Sequence, residues 1–278
     1  MRCNFISGKN IKCFLILAVV ISMPVTALAD YIFSAPPRED TKRGKEIYEP
    51  IVKKLSEIIG EKVIYEQPTG WLDYARKMRS GHYDIVFDGP HFSAWRMKHL
   101  SHIPIATLPG KLDFYLVAWK DDNEINNPRD LVGQKICGMT SPHLATDMIY
   151  DLYKNPVLQP QIYDVKGQMR DVYQAFKDKK CRATIFRDAV FLKLPSVERE
   201  RLKIIAKTRA LPNQTITVSN RLKSDANKLA NFFTSHEGAM ISSGILQRYS
   251  RKKEYFETAP LAEYKGVETI LENVVWGW

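Results

Sequence analysis

The stretch from Tyr83 to Trp95, reading YDIVFDGPHFSAW, constrains the fold of this chain more than any other. Asp84-Ile85-Val86-Phe87 is a short apolar run of the kind that fills a strand covered on both faces, as in a parallel sheet packed between helices. Asp88-Gly89-Pro90 ends it. Pro90 suits a first helical position, where no N–H is required, so the spacing predicts a helix from Pro90 to His99. A strand that turns tightly into a helix leaves free backbone N–H groups at the carboxyl edge of its sheet. In open α/β sheets ligands bind at that edge.

Ahead of any strand lies a leader. Arg2, Lys9 and Lys12 precede an apolar run of 11 residues, Cys13 to Met23, and Ala27-Leu28-Ala29 follows as a small-x-small cleavage site. Spanning a bilayer takes about 20 apolar residues, so export with cleavage after Ala29 is expected rather than a retained anchor. Cys13 follows Ile11-Lys12 and does not sit in a lipobox. Loss of the three basic leader residues takes the formal charge from +10 to +7. A basic surface favours anions. No basic run interleaved with aromatics points to nucleic acid.

The remaining chain reads as two similar units. Tyr31 to Ala35 and Lys62 to Glu66 are strands, separated by a helix with Ile47, Ile51, Leu55, Ile58 and Ile59 at helical spacing. Pro50 lies inside that pattern, so the helix either starts near Glu49 or kinks there. A helix carrying Trp71, Leu72, Ala75 and Met78, with Thr69 as its expected cap, then leads to the buried strand. This is βαβαβ. After strands at Ile103 to Leu108 and Phe114 to Trp119 the pattern returns: strand Lys135 to Met139, helix Pro142 to Lys154, strand Gln161 to Val165, helix Met169 to Phe176, strand Ala183 to Phe186. Further strands are expected at Lys203 to Lys207 and Thr215 to Ser219, and helices at Ala226 to Thr234, Gly238 to Leu246 and Leu261 to Leu271. The apolar end, Val274 to Trp278, should pack on a lobe. The expected class is α/β, two lobes joined by two hinge segments near Thr107 to Leu112 and Thr208 to Thr215. Residues 30–108 plus 214–278 would form lobe I and 109–213 lobe II. Two such crossings make a hinge able to close around a ligand.

Two helix starts correspond. Asp88-Gly89-Pro90-His91 leads into one helix and Thr140-Ser141-Pro142-His143 into the other, each with proline first and histidine second. Both would aim N–H groups and a positive helix end at the cleft. Thr140 and Ser141 can donate through their hydroxyls. Arg187, after the strand Ala183 to Phe186, can clamp an oxyanion in bidentate fashion. Asp88, Ser93 and Thr69 complete the expected ligand-binding set. Arg38, after Pro36-Pro37, can reach the cleft. Trp71 reads as core or rim packing.

Catalysis finds little support: there is no G-x-S-x-G, H-E-x-x-H, Walker loop or G-x-G-x-x-G. His91, His143, Asp88 and Asp188 could meet as metal ligands on closure, but nothing in the sequence sets their distances. No metal and no cofactor is therefore expected. Cys137 and Cys181 are the two cysteines beyond the leader, and in an oxidising compartment such a pair is more often bridged than free. They fall on neighbouring predicted strands; two buried thiols are the other possibility.

Three stretches together resemble the periplasmic phosphate, phosphite and phosphonate substrate-binding proteins of ABC transporters. Trp71 to Pro90 is similar to that family's helix, strand and Gly-Pro turn, Asp130-Leu131-Val132-Gly133-Gln134-Lys135 looks like its opening of the second lobe, and Gly44 to Gly60 matches its first helix. The resemblance covers nearly all of the chain after the leader. It implies a type II periplasmic-binding fold with an oxyanion between the lobes. The chain departs from the family where a Ser-Thr-Ser-Gly helix start is replaced by Thr140-Ser141-Pro142-His143, and at Ser93, where a tyrosine is common.

The expectation is thus a periplasmic, non-catalytic, monomeric solute-binding protein. It would hold a small anion, phosphonate-like or phosphate-like, between the starts at Pro90 and Pro142 for a membrane permease. Histidine donors binding as cations would make affinity fall as pH rises through their titration. Two other classes are a sensory module docking on a receptor or kinase, and a periplasmic enzyme using His91 and Asp88 as a base pair.

Overall fold

The computed structural model describes residues 30–153, 155–250 and 254–274. The leader at residues 1–29 and the apolar end beyond Val274 fall outside the described residues. No helix among the described residues is long and apolar enough to cross a membrane.

Strand β1 (Tyr31–Ser34) is followed by α1 (Thr41–Ile59), β2 (Val63–Glu66), α2 (Trp71–Arg79), β3 (Ile85–Asp88), α3 (Pro90–Leu100) and β4 (Ile103–Thr107). Asp40 caps α1 by accepting the Arg43 N–H at 2.8 Å, and Gly60 closes it with φ 80. Pro50 neither starts nor ends this helix. Its ring and missing N–H cost about 3 kcal/mol. Burial of Ile47, Ile51, Val52 and Leu55 on the inward face outweighs that, at about 1.5–3 kcal/mol per large aliphatic side chain.

The chain then passes through β5 (Lys111–Leu112) into β6 (Phe114–Trp119), β7 (Lys135–Gly138), α4 (Leu144–Asp151), β8 (Gln161–Asp164), α5 (Met169–Lys177), β9 (Ala183–Arg187), α6 (Asp188–Phe191), α7 (Ser196–Glu200) and β10 (Leu202–Lys207). It returns through β11 (Leu211–Pro212) to β12 (Thr215–Val218). One sheet has the order β2-β1-β3-β12-β4 and the other β8-β7-β9-β6-β10. In each the first three strands run parallel and the fourth antiparallel. The fourth strand is always the one that follows a crossing, β6 after the first and β12 after the second. Each sheet therefore fastens the incoming chain beside its central strand, whose carboxyl end meets the cleft.

The two crossings pair with each other. Leu112 stands opposite Leu211 and Lys111 opposite Pro212 in an antiparallel ladder, and the Asn213 amide donates to the Pro109 carbonyl at 2.8 Å. A third segment braces them: Thr107 and Glu257 exchange backbone bonds of 2.9 and 2.8 Å, and the Tyr264 hydroxyl donates to the Asn213 carbonyl at 3.0 Å.

The C-terminal helices are α8 (Ala226–Phe233), α9 (His236–Ile241), α10 (Ser243–Tyr249), α11 (Leu261–Tyr264) and α12 (Thr269–Glu272). The single helix expected over Gly238 to Leu246 is divided at Ser242, and that over Leu261 to Leu271 at Gly266, whose φ of 84 belongs to the left-handed region. Helix α12 packs on both α3 and α4. Tyr264, Val267 and Ile270 belong to the core around β6, β7 and β9, while Leu271 joins Tyr74, Val86 and Phe92 of the first sheet's outer face.

Cys137 of β7 and Cys181, just before β9, form a disulfide with Cα atoms 5.5 Å apart, closing a sequence separation of 44 residues. A loop of that length contributes about 4 kcal/mol on the chain-entropy model. The double variant Cys137→Ala/Cys181→Ala should therefore melt lower by on the order of 10 °C, at about 2–4 °C per kcal/mol for a chain of this size. A shift under about 2 °C in a thermal scan would show that the bridge constrains little.

Candidate functional site

The end of β3 carries the site's foundation. Asp88 is fully buried and three groups hold it: its Oδ2 accepts from the Tyr74 hydroxyl and from Arg96 Nη2 at 2.8 Å, and its Oδ1 accepts the Gly89 N–H at 2.6 Å. Arg96 Nη1 donates in turn to the Tyr74 oxygen at 3.1 Å. The turn, α2 and α3 are thereby tied together. A Cβ on Gly89 would lie 2.8 Å from His91 Cε1, so glycine is what lets the imidazole fold against the turn. Pro90 starts α3 as the sequence predicts.

Arg38 enters from the loop after β1. Its guanidinium lies 5.6 Å over the Phe87 ring and 5.1 Å over that of Tyr249, and Nη2 stands 3.8 Å from Asp88 Oδ1. Its Nε and Nη2 have no hydrogen-bond partner among the described residues.

On the opposite sheet the predicted helix start is displaced. Helix α4 begins at Leu144, and His143 is its N-cap residue with extended backbone, so Pro142 and His143 are not the first helical residues. Bonds formed ahead of the helix explain this. The Thr146 hydroxyl donates to the Met139 carbonyl, and the Thr140 N–H donates to Asp164 Oδ1 at 2.9 Å. The loop is thus anchored to the end of β8. Pro142 projects its carbonyl toward the other lobe, where His91 Nε2 meets it at 3.2 Å.

The two edges enclose a cavity of about 170 Å³. Asp88, His91, His143 and Arg187 of the predicted set all line it. Arg38 and Gln214 add polar groups, and Trp71, which reads from sequence as packing, forms part of the wall. The other four predicted residues lie outside the lining. Ser93 is fully buried one turn into α3. Thr140 is exposed and Ser141 half-buried. Thr69 is exposed and does not cap α2; its N–H donates to Asp73 Oδ2 at 3.2 Å and Gly70 takes the cap position. No cluster able to hold a metal ion occurs among the described residues.

The histidines are not cations. Burial lowers His91 to about 3 and His143 to about 4. With Pro142 O able only to accept, neutral His91 carries its proton on Nε2, and its Nδ1 is an acceptor with no partner among the described residues. The expected fall of affinity through histidine titration loses its basis. Sequence reasoning also passed over Asp147 in the first turn of α4, which burial pushes up to about 7. The Ser141 hydroxyl opposes that push only in part. Only an aspartate at helical spacing among apolar residues could have signalled it.

A histidine held neutral in the fold binds a proton in the unfolded chain below about pH 6.5 but not in the native state until near its lowered value. Its contribution is complete above about pH 6.5 and is lost as pH falls, by up to about 1.4 kcal/mol per unit. Asp147 acts in the opposite sense, its contribution fading as pH rises toward 7. His91→Gln should make the loss of stability between pH 6 and pH 4 shallower by about 1.4 kcal/mol per unit. Equal slopes in urea denaturation of variant and parent would refute a buried neutral His91.

The description "ABC transporter, phosphonate, periplasmic substrate-binding protein" belongs to the family model that matches residues 33–264. The phosphate-import protein PhnD of Mycolicibacterium smegmatis is 27% identical over 125 residues, covering 42% of this chain and 38% of that protein. The chain thus aligns with well under half the length of this curated relative. Among solved structures, PhnD1 of Prochlorococcus marinus in complex with methylphosphonate superposes with a TM-score of 0.63 at 14% identity, over 87% of this chain and 97% of that one. A Xanthomonas citri protein bound to ATP gives 0.67 at 12% identity, over 88% and 98%. The binding-protein component of a Pseudomonas aeruginosa phosphonate transporter gives 0.55 at 18% identity, over 82% and 81%. These likenesses establish the type II periplasmic-binding fold. With most of its length matched by the family model, the chain belongs to the periplasmic substrate-binding proteins of phosphonate ABC transporters.

Proposed function

We propose that this protein captures a small phosphorus oxyanion in the cleft between its sheets and presents it to the permease of an ABC transporter. Lobe I would comprise residues 30–108 with 214–278, and lobe II residues 109–213. The protein would act in the periplasm as a monomer after cleavage behind Ala29. The observation that carries the reading is Arg38: a permanent cation held by two aromatic rings and a buried carboxylate, with two nitrogens lacking a hydrogen-bond partner among the described residues, in a cavity lined from both sheets. Arg187 adds charge from the facing edge. Thr140 and Ser141 would contribute through the shape of their loop, and Ser93 and Thr69 as support for α3 and α2.

The absence of catalysis is part of the proposal. A His91–Asp88 base pair would need the carboxylate to orient the imidazole. Asp88 is instead committed to Tyr74, Arg96 and the Gly89 N–H, and His91 bonds Pro142.

Arg38→Ala should weaken binding of methylphosphonate about ten- to hundredfold by titration calorimetry, since hydrogen bonds to charged groups are worth about 1.5–3 kcal/mol. Unchanged affinity in a folded variant would remove the anion-binding reading. In the parent protein, affinity from pH 5.5 to 8.5 should be flat once the ligand's own ionisation is accounted for, because both cleft histidines stay neutral across that range. A fall that tracks a protein group near pH 6.5 would restore them as cations.

A further inference from the structure

Much of the cavity lining is apolar. Trp71, Phe92, Leu112, Phe114, Met169 and Val190 all face it, and Phe92, Leu112 and Phe114 are buried. The charges are few. Arg38 and Arg187 line the cavity with Arg96 behind them, set against Asp88 and the adjacent buried Asp188, which leaves one positive charge in excess. The neutral polar groups include two acceptors without a partner among the described residues, His91 Nδ1 and Gln214 Oε1. An acceptor repels a fully ionised oxygen and accepts from a protonated one. Asp88 is the sole carboxylate in the lining among the described residues, and its oxygens already serve Tyr74, Arg96 and Gly89.

We infer that the ligand is an organophosphonate monoanion with a compact, uncharged apolar substituent, its head on Arg38 and its carbon chain against the Trp71–Phe114–Met169 wall, and that inorganic phosphate and amino-substituted phosphonates are discriminated against. The inference rests on the phosphorus-oxyanion reading above and specifies its substrate class. Inorganic phosphate leaves the aromatic wall wetted by nothing it can satisfy. An ammonium group at the end of the chain would be desolvated with no free carboxylate to meet it, a heavy cost in a closed site. The volume of about 170 Å³ is near the roughly 150 Å³ that houses a benzene-sized guest, so a head and a chain of a few carbons fill it.

The test compares propylphosphonate with 2-aminoethylphosphonate, which has nearly the same shape but ends in an ammonium, and with methylphosphonate and inorganic phosphate, by titration calorimetry on the full mature chain at pH 6.5. Each methylene brought against the wall should tighten binding about fourfold. Propylphosphonate, with two more methylenes, should therefore bind about fifteenfold more tightly than methylphosphonate, and at least tenfold more tightly than either phosphate or 2-aminoethylphosphonate. If phosphate or 2-aminoethylphosphonate binds as tightly as propylphosphonate or more so, the inference is overturned while the anion-binding reading stands. If none of the four binds, both fall.

Discussion

The carboxylate of Asp88, shut away from water between Tyr74 and Arg96, is the interaction on which the rest of this molecule depends. A buried charge is costly unless paired and hydrogen-bonded, and here every available partner comes from a different element: the hydroxyl from α2, the guanidinium from α3, an N–H from the turn itself. Satisfying Asp88 therefore fixes the relative placement of three elements at once. The same carboxylate holds Arg38 at 3.8 Å. One group thus organises the lobe and aims its principal cation, so architecture and binding are not separable in this sheet.

The second sheet reaches the cleft by different means. Its edge is shaped by Thr146 and Asp164, which gather the Thr140–Pro142 loop and delay α4 by two residues. The helix end is drawn back, and what faces the cavity is a proline, a neutral imidazole and apolar side chains rather than a row of N–H donors. The charged groups of the lining are then Arg38 and Asp88 from the first sheet's side and Arg187 from the second, which otherwise contributes mainly apolar side chains. Such asymmetry suits a site that reads a charged head on one side and an uncharged body on the other.

Closure is built into the strand order. β6 and β12 each follow a crossing and settle in the fourth position of their sheets, and the two crossings lie side by side as the β5–β11 ladder. A paired hinge can bend but resists twisting. The C-terminal segment complicates this simple picture: α11 and α12 pack across both sheets, and the Glu257 and Tyr264 bonds brace the hinge from behind. Helix α12 thus touches α3 of one sheet's layer and α4 of the other's.

Much of this was legible from the chain by itself. The alternation of short apolar runs with helical spacing, repeated about 100 residues apart in the numbering, determined two α/β units, and the Gly89-Pro90 turn placed a helix start at a carboxyl edge, because both are local consequences of backbone chemistry. The same local reasoning located His91, His143, Arg187 and Asp88 near the cleft. It could not decide their protonation or their partners. Those follow from burial and from contacts more than fifty positions away, such as His91 with Pro142. Pro142 looked like a helix start as good as Pro90, yet Thr146 and Asp164 pull the second loop out of the helix. For Arg38 the chain showed only a cation able to reach the cleft; its place between Phe87 and Tyr249 came from the fold. Sequence determines what each segment prefers to be; which charges end up desolvated, and against what, is settled only when distant segments compete for the same space.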